Sequence, residues 1–203
     1  MGRNSSGVRG GLQPRDSGSG IEITGVEPLK NIKDPKLYKE TAAAISRYHS
    51  VMGVRERNVK LADLPPNTGG AQTTSIKTGE STGIYLNKKM FSGTKASIEK
   101  NVRRGYNSGW LTRSNKPVAH YVTHELAHAT WNSDLKGAKY KAAQKEIYKL
   151  SGKWLADKRK KGYGKYAHSD LNEFWAEVVT KAVHGTPDKY TQAAKRIVKK
   201  YKL

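Results

Sequence analysis

Between Pro117 and Asn132 the chain carries a helical segment, opened by Pro117, that contains Val122-Thr123-His124-Glu125-Leu126-Ala127-His128. Positions four apart on a helix lie one turn apart on the same face, so the His124 and His128 imidazoles converge on one point in space. Two imidazoles do not complete a metal site, and a fold that uses them must bring at least one further ligand from elsewhere. The chain has no cysteine, so that ligand is a histidine or a carboxylate. Glu125 lies beside the pair rather than between them. From there it can take a proton from a water polarised by the ion, the task of a hydrolytic general base. The plainer alternative is a surface helix bearing an ordinary glutamate.

Three residues compete for the third position. His120 shares the His124 face but stands two turns from His128, about 12 Å along the axis, so one ion cannot bridge that pair. Its expected roles are support of a ligand, rim or helix surface. Asp134 follows His128 by six positions, where some H-E-x-x-H sites place a ligand after a glycine turn; here Trp131 occupies the turn, and a β-carbon strains a positive-φ conformation. Glu173 opens a later helix, Leu171 to Val183, in Asn172-Glu173-Phe174-Trp175-Ala176-Glu177. Packed inward, its carboxylate meets the histidines across a helix–helix contact. Glu177, one turn on, would accept the free ring N–H of a ligand histidine. The alternative for Glu173 is a first-turn residue in a capping box with Asp170.

The rest of the chain supplies the frame. Residues 1–20 are Gly, Ser and Arg with few apolar side chains and read as a mobile arm; the domain spans 21–203. Asp34-Pro35 opens a first helix to Gly53, with Leu37, Tyr38, Ala42, Ile45, Tyr48 and Met52 at helical spacing. Val59–Leu61, Thr73–Ile76 and Ile84–Leu86 read as short strands, broken by Pro65-Pro66 and Gly69-Gly70 turns. Helices follow near 95–106, 117–132, 136–160, 171–183 and from Pro187. Helix, small sheet, then helices is an α+β order.

The Thr-His-Glu-Leu-Ala-His run, the basic helical spacer, Tyr166 seven residues before Glu173, and Glu-Phe-Trp-Ala-Glu together resemble the anthrax lethal factor and Pro-Pro endopeptidase family of zinc peptidases over about Ile84 to Val183. The resemblance implies an α+β zincin-like metallopeptidase domain: a small mixed sheet, an active-site helix and C-terminal helices. It implies Zn2+ held by His124, His128 and Glu173, with Glu125 as base, Tyr166 stabilising the oxyanion and Glu177 supporting a ligand. Ala127 stands where many relatives carry Gly. The resemblance also makes Gly83, Ile84, Tyr85 and Leu86 the edge strand that receives an extended substrate, against the alternative of an interior strand. Thr82 to Asn87, a following helix and Gly109-Trp110 are similar to zincin-like domains of phage head proteins, which implies a bacterial or phage source. His168 is a minor candidate for orienting substrate.

Lys and Arg number 38 against 17 Asp and Glu, a net charge of +21, strong enough to attract nucleic acid or other polyanions. The cations from Lys136 to Lys165 and from Lys195 to Lys202 are expected to form solvated faces, with Tyr140, Tyr148 and Trp154 packed inward. No apolar run reaches the roughly 20 residues of a membrane span, and residues 1–20 lack a secretory core. The expectation is a cytoplasmic or virion-associated zinc endopeptidase acting on protein or peptide. The rival is a basic nucleic-acid-associated or phage virion structural protein with a structural or vestigial zinc site.

Overall fold

Asp34 starts the first helix as an N-cap, its carboxylate accepting the N–H of Lys36 at 2.8 Å, and Gly53 ends it at φ 65°. The computed structural model describes residues 23–54, 56–66, 68–74, 80–131 and 135–203. The expected arm over 1–20, the start of the domain at Ile21, and Asp134 lie outside the described residues.

The described elements are, in chain order, β1 (Thr24–Pro28), α1 (Pro35–Met52), β2 (Val59–Asp63), β3 (Gly70–Thr74), β4 (Ser81–Asn87), α2 (Lys88–Phe91), α3 (Lys95–Asn107), α4 (Pro117–Thr130), α5 (Ala138–Ala156), α6 (Leu171–His184) and α7 (Lys189–Tyr201), with 3-10 turns at Leu29–Asn31 and Lys165–His168. This is an α+β fold with a small mixed sheet of strand order β1-β2-β4-β3. β2 runs parallel to β4, pairing Val59 with Ile84 and Leu61 with Leu86, while β1 and β3 are antiparallel to their neighbours. β1 carries no apolar alternation, since four of its five residues are exposed, and gives no strand signal in the sequence.

Two corrections concern which faces are buried. In α1 the inward stripe is Leu37, Thr41, Ala44, Tyr48 and Met52, whereas Tyr38 and Ala42 point outward. In α5 Ile147 and Trp154 are buried, but Tyr148 is 71% exposed and does not belong to the core. Both follow from the 3.6-residue period, which puts neighbours of a core position on a helix flank.

α4 is the central helix. Every residue from Pro117 to Ala127 is buried, because α1, α3, α6 and the sheet pack around it. Such enclosure requires its polar side chains to find partners. α6 lies against it along most of its length and is itself buried from Glu173 to Val183. The contact is closed at one end by Trp131 against Trp175, edge to face with ring centroids 6.4 Å apart, and at the other by Thr123 Oγ1 and His184 Nε2 at 2.8 Å. α1 fastens to both helices: the Tyr48 hydroxyl donates to the Leu126 carbonyl (3.1 Å) and Arg47 Nε to the Val183 carbonyl (2.9 Å). Two helices so constrained hold side chains at their interface in fixed relative positions.

Candidate metal centre

At the α4–α6 interface three histidines of α4, His120, His124 and His128, face two glutamates of α6, Glu173 and Glu177. Asp170 caps α6 by accepting the backbone N–H of Glu173 (2.9 Å). The cap uses only the Glu173 backbone, without the reciprocal side-chain bond of a capping box, so the Glu173 carboxylate is free to turn inward. Glu173 Oε2 lies 3.0 Å from His124 Nε2 and 3.7 Å from His128 Nε2, and the two imidazole nitrogens are 3.3 Å apart.

The proton inventory decides what this triangle is suited to hold. Glu177 is fully buried and its Oε1 lies 3.0 Å from His124 Nδ1. A carboxylate can only accept, so Nδ1 carries the hydrogen and, in the neutral ring, Nε2 presents a bare lone pair. That lone pair faces Glu173 Oε2, a buried oxygen that, while His124 is neutral, has no hydrogen-bond donor among the described residues. With His128 in the tautomer that leaves Nε2 bare, three acceptor atoms converge on one point, an arrangement that is repulsive unless a proton or cation sits among them. A tetrahedral ion with bonds of about 2.0–2.1 Å keeps its ligands about 3.3–3.4 Å apart, within the observed spread. The residues fit a divalent ion by both chemistry and distance. His120, His124 and Glu177 form a second buried group whose ligand atoms lie equally close, but there the Glu177 oxygen is already committed to the His124 N–H, with His120 Nε2 at 3.5 Å.

The titration directions express the same competition for positive charge. Burial alone would depress the His124 pKa, but hydrogen bonds to Glu173 and Glu177 raise it well above the usual value, so a proton takes the cation's place. Burial lowers His128 to about 4. Burial opposes ionisation of Glu173 and Glu177, yet the facing histidines hold both below the usual carboxylate range.

Glu125 is buried on the flank facing the sheet, and burial pushes its carboxyl up to about 7, helped by the Glu173 charge and opposed by His124. Its neighbours are the backbone of Gly69 and the first residue of β3. A β-carbon at Gly69 would stand 2.5 Å from Glu125 Oε1, and one at Gly70 2.6 Å from Oε2, so a side chain at either position would force the Glu125 carboxylate to shift.

Tyr166 completes the group from the 3-10 turn Lys165–His168. Its ring stacks on His124 (5.5 Å between centroids) and on Trp110 (5.4 Å), and its hydroxyl bonds Glu173. Burial and that neighbouring carboxylate hold the phenol protonated, its pKa far above the ordinary value. The turn is pinned by backbone hydrogen bonds from Lys165 to Gly109 (2.9 Å) and from Tyr166 to Trp110 (2.8 Å). Gly164 allows the approach, since a β-carbon there would meet the Trp110 carbonyl at 2.2 Å. Thr112 joins this turn to α6: its N–H donates to Glu177 Oε2 (2.7 Å) and its hydroxyl accepts the Gly164 N–H (3.1 Å).

His124, His128, Glu173, Glu125, Glu177 and Tyr166 are therefore gathered in one place, and His120 is buried behind Glu177. His168 is not part of it, being exposed and packed on Trp154. The edge-strand assignment of Gly83, Ile84, Tyr85 and Leu86 is corrected: β4 is hydrogen-bonded on both sides, to β2 and β3, and has no free edge there. The strand at the sheet margin beside Glu125 is β3. Its entry, Gly69-Gly70, reads in the sequence only as a turn, and nothing in a glycine pair announces a nearby carboxylate. Thr112 and Trp110 likewise carry no sequence signal, because they act through backbone and stacking.

Comparison of the chain with family models, with curated proteins and with solved structures returns no match.

Proposed function

We propose that this protein is a zinc-dependent endopeptidase with a zincin-like domain, in keeping with the motifs it shares with the lethal factor and Pro-Pro endopeptidase family. The observation that carries the reading is the convergence of His124 Nε2, His128 Nε2 and Glu173 Oε2 within 3.7 Å of one another, beside the buried carboxyl of Glu125. Zinc bound there supplies Lewis acidity, polarising a carbonyl and making water easier to deprotonate.

The remaining work falls to the chain. Glu125 accepts the proton of the attacking water and passes it to the leaving amine. Tyr166, protonated and poised over His124, donates a hydrogen bond to the carbonyl oxygen as it gains negative charge. Glu177 keeps the His124 ring in one tautomer and orientation, itself fixed by the Thr112 N–H. Strand β3, at the margin of the described sheet and entering past Glu125, offers main-chain groups to an extended peptide. This gives β3 the part that the family resemblance implies for Gly83–Leu86.

Two substitutions probe the geometry. Tyr166→Phe keeps the stacked ring and is expected to lower turnover by about 10²–10³-fold with metal content unchanged, read by peptide hydrolysis beside elemental analysis. Gly70→Ala places a methyl against the Glu125 carboxylate and should lower turnover on the order of 10²-fold, since displacement of a reacting group by about 1 Å costs that much. Full activity in Gly70→Ala would mean that Glu125 does not act from the position described.

The experiment that tests the function is metal analysis of the purified protein coupled to digestion of a peptide library. Zinc near one equivalent with discrete cleavage sites, abolished in Glu125→Gln, is expected. Zinc without cleavage of any peptide would instead favour a binding protein with a structural metal.

A further inference from the structure

Away from the triangle of metal ligands, six cations line one open cleft of about 620 Å³: Arg113, Arg159, Lys160, Lys161, Lys181 and Lys189. They come from four separate parts of the chain, the segment after α3, the loop after α5, α6 and the start of α7. Only two carboxylates line the same space, Asp157 and Asp188, and both are consumed internally. Asp157 accepts from Lys189 Nζ (2.7 Å), the Tyr190 hydroxyl (2.8 Å) and the Arg159 N–H (2.9 Å). Asp188 accepts from Lys181 Nζ (2.8 Å), the Tyr163 hydroxyl (2.9 Å) and the first N–H groups of α7.

These bonds build the cleft and leave its charge uncompensated. Asp157 ties the 157–162 loop to α7, and buried Lys181 ties it to α6 through the Lys161 carbonyl (2.7 Å). Lys181 and Lys189 are thereby neutralised, whereas Arg113, Arg159, Lys160 and Lys161 form no ion pair among the described residues. Like charges gathered on a pre-formed concave surface repel one another and focus the field into the opening. The volume is that of a small-ligand site. Several cations sharing so small a space are matched by several anionic groups sharing one small ligand. Linked phosphates provide this and suit the planar donor fork of arginine, whereas a peptide spreads its carboxylates along an extended chain.

We propose that this cleft binds a phosphate-dense anion, either a free oligophosphate or the phosphates of a nucleic acid strand. The inference uses no metal ligand and stands apart from the peptidase reading. Its test is calorimetric titration of the full-length protein with trimetaphosphate at low and moderate salt. The expected result is one saturable site whose affinity falls steeply with salt. The double substitution Arg159→Ala/Lys161→Ala should weaken binding by at least about tenfold. Lys141→Ala/Lys145→Ala, which removes the same charge from the exposed face of α5, should change it by less than about twofold. Oligothymidylate that displaces trimetaphosphate from the wild type identifies a nucleic acid strand as the source; failure to displace it identifies a free oligophosphate. Equal weakening in the two double variants, absence of saturable binding, or equally effective competition by an oligoglutamate would overturn the proposal.

Discussion

Glu125→Gln is expected to abolish peptide hydrolysis, by about 10²–10⁴-fold or more, while zinc stays near one equivalent. Glutamine has the size of glutamate, so it fills the space against Gly69 and Gly70 without disturbing His124 or His128. What it lacks is the capacity to accept and return a proton. The same substitution has a signature in the metal-free protein. Because burial raises the Glu125 pKa to about 7, the folded state holds this proton after the unfolded chain has released it. Stability then falls as pH rises from about 4.5 towards 7, by up to about 3 kcal/mol. Glu125→Gln removes that fall and should melt at or above the wild-type temperature at pH 8. Thermal scans of both metal-free proteins across this range check it. A variant that keeps hydrolysing peptide would remove Glu125 from the chemistry.

Glu177→Ala should have the largest effect on the protein itself. It strips acceptors from the Thr112 N–H and the His124 Nδ1–H and leaves His120 without its facing carboxylate, all in a fully buried place. Removing one partner of such a network costs about 3–5 kcal/mol, readable in urea unfolding. Freed to rotate or change tautomer, His124 should also bind metal about 10–100-fold more weakly, readable by competition with a chelator. Acid behaviour gives the sign of the effect. The histidines hold the Glu177 pKa below that of the unfolded chain, so its stabilisation is complete above about pH 4.5 and is lost as pH falls through the lower folded value. The variant should therefore lose less stability on acidification than the wild type. Unchanged metal affinity in Glu177→Ala would show that His124 is oriented by something else.

The legibility of this site in the sequence differs residue by residue. His124 and His128 are readable because helical periodicity alone puts them on one face. Glu173 is readable only as one of three candidates: its distance from His128 in sequence says nothing about distance in space, and the α4–α6 packing that brings them together depends on Trp131, Trp175 and α1. Tyr166 is invisible to periodicity, lying in a turn positioned by backbone bonds to Gly109 and Trp110. The strand beside the site is hard to read from the sequence for a related reason. Alternation identifies Ile84 and Leu86 as strand residues but not their neighbours in the sheet, and β3, which supplies the margin, has weak apolar patterning and begins at a glycine pair. β1 carries no signal because its side chains bury little, its pairing with β2 resting on backbone hydrogen bonds.

In the proposed metal site, two helices place two imidazoles and one carboxylate around a single divalent ion. X-ray absorption at the zinc edge, on the wild type and on Glu173→Ala at matched zinc concentration, tests it most directly. One zinc per chain is expected in the wild type, with two imidazoles and only nitrogen or oxygen neighbours at about 2.0–2.1 Å, and loss of most of that zinc in Glu173→Ala. A Glu173→Ala protein that retains a full equivalent of zinc in an unchanged shell, or a wild-type shell with three imidazoles, would contradict it.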